Sequence, residues 1–147
     1  MLELLIVMGI IGILSSIVLL RGTDFRNTAK DMANDANVKN LKRLLEQYNG
    51  KHLTYPIHTS DIPIITLVTS NGDLSEIVMY HEVRLYGGNE GTHLFVNPWT
   101  GAQFTTNLLD QGQILYKSTT NGHGYTITQN SRIVDGTARI RRVYPNQ

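Results

Sequence analysis

Met1-Leu-Glu-Leu-Leu-Ile-Val-Met-Gly-Ile-Ile-Gly-Ile-Leu-Ser-Ser-Ile-Val-Leu-Leu20 opens the chain, and Glu3 is its one charged residue. As a helix the stretch reaches about 30 Å, enough to cross a hydrocarbon core. A carboxylate in such a span costs about 2.5–3.5 kcal/mol near the bilayer centre and less toward an end. A plain anchor gains nothing from that charge, so Glu3 calls for a partner that neutralises it. A secretory signal peptide fits poorly, because the run lacks a basic start, is too long, and closes on no small-residue cleavage site. Arg21, Arg26 and Lys30 follow the run. By themselves they favour a cytoplasmic C-terminal side, unless orienting charges lie upstream.

The helical pattern continues past Leu20. Between Thr23 and Tyr48 there is neither proline nor glycine. At about 100° per residue, Phe25, Ala29, Met32 and Ala36 share one side of the helix. Val38, Leu41, Leu45 and Tyr48 fall on nearly the opposite side, with Leu44 at the edge. One helix therefore presents its first half to one neighbour and its second half to another; the other reading is a stutter in a single stripe. Asn49-Gly50 is the expected stop, since both residues tolerate a left-handed C-cap.

The remainder reads as a small head. Ile64-Ile-Thr-Leu-Val-Thr69 is strand or buried helix, and periodicity does not decide. Asp73-Leu-Ser-Glu76 has the form of a capping box, predicting a short helix from Leu74 to about Val83. Gly87-Gly-Asn-Glu-Gly91 reads as a flexible loop. Strands are predicted over 113–118, 124–129, 132–134 and 138–143, the last two flanking an Asp135-Gly136 hairpin. In the last strand Ile140 alternates with Arg139 and Arg141, giving a basic outer face.

Composition narrows the function classes. The chain has 147 residues, 13 basic and 12 acidic, and a net charge of +1, so bulk electrostatics give no case for nucleic acid. With no cysteine there is no disulfide and no thiolate site. His52, His58, His81, His93 and His123 show no metal-ligand spacing, and no nucleophile elbow points to hydrolysis. No catalytic residue, metal ligand or cofactor is expected.

Leu2-Glu3-Leu-Leu-Ile-Val-Met-Gly-Ile-Ile-Gly-Ile-Leu14 closely resembles the N-terminal signature of type IV pilins and of the pseudopilins of type II secretion. Leu44-Leu-Glu-Gln-Tyr-Asn-Gly-Lys-His-Leu-Thr-Tyr-Pro56 is similar to the helix end of many pilin-like proteins. Asn97-Pro98-Trp99-Thr-Gly-Ala-Gln-Phe104 resembles an Asp-Pro-Trp-Gly segment of the major pseudopilin, and Gly124-Tyr-Thr-Ile127 a strand of these heads. In that family the glutamate is normally the fifth residue of the mature chain. Here it is third, so the resemblance implies two further mature residues and a basic leader before Met1, removed by a prepilin peptidase.

The resemblance implies an α+β fold: a long N-terminal helix packed on a small antiparallel β-sheet head. Residues 1–21 would be the transmembrane or filament-core helix, 22–49 its amphipathic continuation, and 50–147 the head. It also implies a homopolymer, an extracellular filament with a membrane-embedded pool before assembly, and a pilus assembly platform as partner. Glu3 would pair with the N-terminal amine of a neighbouring subunit. Leu5, Gly9, Gly12, Ser16, Phe25, Ala29 and Met32 would pack helix on helix, the small residues allowing close approach. Leu41, Leu45, Tyr48, Tyr55, Pro56 and Trp99 would hold the head. Three departures stand: no proline follows the span, no disulfide closes a C-terminal loop, and Asp135 stands nearly alone where the major pseudopilin binds calcium. Two alternatives remain open, a pseudopilin of a secretion or competence machine and a membrane-anchored binding or enzymatic domain that never polymerises.

Overall fold

A computed structural model describes residues 2–69, 71–78, 95–134 and 137–146. Helix α1 (Leu2–His52) runs unbroken through the N-terminal third of the chain. It is followed by a two-residue strand β1 (Ile62–Pro63) and a short helix α2 (Ile64–Val68). Three longer strands follow, β2 (Ile114–Ser118), β3 (Tyr125–Val134) and β4 (Thr137–Asn146). They form one antiparallel sheet in the order β1-β2-β3-β4. The class is α+β, a long N-terminal helix packed on a four-stranded antiparallel sheet.

Side-chain alternation decides which face of the sheet meets the helix. Ile114, Tyr116 and Ser118 on β2 stand opposite Gln129, Ile127 and Tyr125 on β3, and all six are buried. Lys117 is exposed, and Thr126 and Thr128 are half-buried on the other face. A slip of one residue would turn the tyrosines and isoleucines outward, so the pattern fixes the register. From α1 the core receives Val38, Leu41, Leu44 and Leu45, each no more than 1 % exposed. Ile64, Leu67, Val68, Leu74, Val78, Phe95 and Phe104 close the cluster from the connecting segments.

Several sequence expectations meet a different outcome. Asn49-Gly50 does not end α1; the helix continues to His52. The left-handed residue is Leu53 (φ 61°), whose N–H donates to Asn49 O at 2.7 Å. Tyr48 and His52 stack with ring centroids 4.3 Å apart, and Lys51 pairs with Glu76 at 2.6 Å. These contacts hold the last turn of α1 beyond a glycine, which costs a helix about 1 kcal/mol.

The segments 124–129 and 132–134 form one strand, β3, whose ladder with β4 shifts register around Asn130. Such a bulge bends a strand without ending it. Ile64–Val68 is helix, with Pro63 at its N-cap. The Asp73-to-Glu76 segment leads into helix at 75–78, but its carboxylates reach elsewhere. Asp73 Oδ2 is 2.7 Å from His58 Nε2, and Glu76 binds Lys51. Val134 pairs with Thr137 across the predicted turn. Asp135-Gly136, Gly87–Gly91, His81 and His93 lie outside the described residues, as do the side chains of Arg139, Arg141 and Arg142.

Two predictions follow from this packing. A left-handed conformation costs an L-residue about 1–2 kcal/mol, and glycine gives back about 0.4–1 kcal/mol through the unfolded chain. Leu53 is 81 % exposed, so little packing is lost on truncation. Leu53→Gly is expected to raise stability by about 0.5–1 kcal/mol in urea unfolding; a fall would show that its side chain holds the head. Burial pushes the hydroxyls of Tyr116 and Tyr125 well above their usual value. The folded state thus keeps protons that the unfolded state releases above pH about 10, so the contribution of these two groups is constant below that pH and falls above it. Tyr125→Phe is expected to flatten the alkaline limb of a pH series of urea midpoints.

Candidate helix-assembly surface

Among the described side chains of α1, those buried by this chain's own head lie in its C-terminal part. Asn34, Val38, Leu41, Leu44 and Leu45 form the buried stripe, with Tyr48 half-buried beyond them. On the opposite side, Phe25 is 70 % and Met32 66 % exposed, and Ala29, Ala33 and Ala36 are exposed with them. Toward the N-terminus every described side chain from Leu2 to Ile17 is exposed, including Glu3, Leu5, Gly9, Gly12 and Ser16. Ser16 Oγ donates to Ile13 O at 2.7 Å, so its hydroxyl is satisfied within the helix. Nothing within 4 Å of Gly9 or Gly12 would meet an added Cβ. On this chain alone their smallness serves no contact.

Moving one large aliphatic side chain out of water is worth about 1.5–3 kcal/mol. Eleven large apolar residues between Leu2 and Ile17 are exposed. Their combined transfer is on the order of tens of kcal/mol, beyond the about 5–15 kcal/mol that stabilises a whole domain. This surface is therefore built to be covered. Among the described residues no helix is long and apolar enough to cross a membrane. The described side chains reach Ile17, about 24 Å of helix, whereas the apolar run in the sequence extends to Leu20.

The head grips α1 where the helix leaves it. Lys30 Nζ, Asn34 Nδ2 and Asn37 Nδ2 donate to the carbonyls of Trp99, Gly112 and Val96, at 3.5, 2.8 and 2.9 Å. Lys30 also lies 5.3 Å from the centre of the half-buried Trp99 ring. Asn97 Oδ1 accepts from the Trp99 N–H, and Asn97 Nδ2 donates to Gln111 O. Gly112 has φ +77°, and a Cβ there would lie 2.2 Å from Trp99 Cδ1; only glycine fits. The turn around Asn97-Pro98-Trp99, which Asn97 braces, thus clamps α1 through Val96, Trp99 and Gly112. Sequence reasoning placed Trp99 in the head but missed Asn34 and Gly112, because a lone Asn inside a helix carries no signal of burial.

At the far side of the sheet, Tyr144 Oη lies 3.2 Å from Asp35 Oδ1 and 3.4 Å from Gln129 Oε1. The hydroxyl has one proton, and the carboxylate is the nearer and stronger acceptor. Turning the Gln129 amide over lets its Nε2 donate to Tyr144 and removes a buried donor without a partner. At the C-terminal end of α1, Tyr55 is buried, donates its hydroxyl to Glu46 at 3.1 Å, and meets Tyr125 edge-on at 4.8 Å. Pro56 is buried beside it, and its carbonyl accepts from Tyr116 Oη at 2.7 Å.

An enzymatic constellation would need a nucleophile on a base. Ser118 lies beside the His58–Asp73 pair, but its Oγ accepts from the His58 backbone N–H at 2.8 Å and faces the His58 carbonyl at 3.4 Å. Its hydrogen bonds hold a loop. Among the described residues no group of three or more His, Cys, Asp or Glu side chains is placed to hold a metal ion. Comparison of the chain with described protein families, with characterised proteins and with solved structures finds no match.

Proposed function

We propose that this chain is a structural subunit of a type IV pilus, polymerising through α1 into an extracellular helical filament. The observation that carries this reading is the division of α1 into a stripe covered by its own head and an apolar surface, Leu2 to Ile17 with Phe25 and Met32, whose described side chains are exposed. Identical copies laid helix against helix would bury Leu5, Phe25, Ala29 and Met32, and Gly9, Gly12 and Ser16 would let backbones approach. Glu3 would pair with the N-terminal amine of a neighbouring subunit in the filament core. Desolvation offsets much of the Coulomb gain there, so the pair contributes registry more than raw stability. Before assembly the same surface would lie in the membrane, held for an assembly platform after processing by a prepilin peptidase. The Asn97-Pro98-Trp99 clamp, similar to a pseudopilin segment, supports as second reading a pseudopilin of a secretion or competence machine.

Electron microscopy and peptide mapping of sheared cell-surface material test the proposal. Long filaments containing this chain are expected, and confinement of the chain to membranes while surface fibres form would overturn the reading. Glu3→Leu is expected to leave membrane insertion intact and abolish filaments. Undiminished filament numbers would remove the role given to Glu3.

A further inference from the structure

Two polar atoms inside the joint between α1 and the head have no protein partner. Asn34 is 0 % exposed, and its Oδ1 is buried and takes no hydrogen bond. Trp99 Nε1 is buried too, and its N–H meets no acceptor. Neither side chain is free to turn toward a better place. Asn34 Nδ2 donates to Gly112 O at 2.8 Å, and turning the amide over would set Oδ1 against that carbonyl, acceptor against acceptor. The Trp99 ring lies under Lys30 Nζ at 5.3 Å, and the backbone N–H of Trp99 is held by Asn97 Oδ1 at 2.9 Å.

Both unpaired atoms border Gly112. Asn34 holds the carbonyl of that glycine. A Cβ on it would lie 3.0 Å from Trp99 Nε1 and 2.8 Å from Asn97 Oδ1. A buried donor or acceptor left without a partner is costly, and native interiors keep few of them. Here one atom is a donor and the other an acceptor. A cation would be repelled by the indole N–H and an anion by the Asn34 oxygen, so an ion serves only one of them. A small neutral molecule that both accepts and donates serves both.

We infer that the joint binds one buried water, which accepts from Trp99 Nε1–H and donates to Asn34 Oδ1. The second proton of the water goes to the remaining lone pair of Asn97 Oδ1. Three hydrogen bonds are the usual complement of a buried water. A bridge of this kind is nearly as good in enthalpy as a direct bond. It adds a link between helix and loop beside the three direct ones, and it gives the indole nitrogen a use that ring packing does not. The site lies within one chain, so it does not depend on the filament reading.

Trp99 is the chain's one tryptophan, so its indole proton gives a single resonance. Water-selective NOE and ROE spectra of the isotope-labelled full chain, dispersed in detergent, address it directly. A long-lived water gives this proton water cross-peaks of opposite sign in the two spectra, and that result is expected. Absence of a cross-peak, or equal signs from simple exchange with solvent, would overturn the inference. Asn34→Leu, which removes the acceptor, is expected to abolish the cross-peak. A cross-peak that survives in this variant would show that the water is held without Asn34 and would overturn the bridge. The spectra of the unaltered chain decide the matter even where the variant does not fold.

Discussion

One buried stripe of α1 organises this molecule. Val38, Leu41, Leu44 and Leu45 are sealed between the helix and the inner face of the sheet, against Ile114, Tyr116 and Ile127. That seal fixes which side of the helix faces the head, and therefore which side does not. Because α1 continues without a break from His52 back to Leu2, the orientation set at Leu41 is transmitted to Phe25 and on toward Glu3. A break in the helix would free the apolar surface from the head. A break in the seal would let the head rotate about it.

The clamp at Lys30, Asn34 and Asn37 marks the N-terminal limit of the described polar contacts between head and helix. Three side-chain donors meet three backbone carbonyls of the 96–112 segment. Directional bonds at that point hold the connecting loops on the helix, which apolar packing alone would not do. Gly112, forced by the Trp99 ring, lets the loop come close enough. The chain therefore has a rigid, polar-pinned head and a surplus of apolar helix in one piece. In the isolated chain that combination leaves the described apolar side chains from Leu2 to Ile17 facing water.

The sequence was legible where periodicity was long. The stripes of α1 stood out because no proline or glycine interrupts 23–48, and Tyr125-Thr-Ile-Thr-Gln129 alternated as an inner and an outer face should. It was illegible where distant partners decide. Glu76 reads as a capping residue until Lys51 arrives from α1, and Gly50 reads as a stop until Tyr48 and His52 stack across it. The bulge at Asn130 has no local signal. Asn34, Gln113 and Asn130 are polar residues with no local sign of burial, yet each is buried. Of the exposed face of α1, the apolar run and the Phe25–Met32 stripe are legible in the sequence.

The central claim is that other copies cover the face of α1 turned away from the head. Hydroxyl-radical footprinting of the full chain, in sheared surface material and as detergent-dispersed subunit, tests it most directly. The account predicts that Phe25 and Met32 are modified in the dispersed subunit and protected in the sheared material, while His123 reacts equally in both. Equal modification of Phe25 and Met32 in the two states would contradict it.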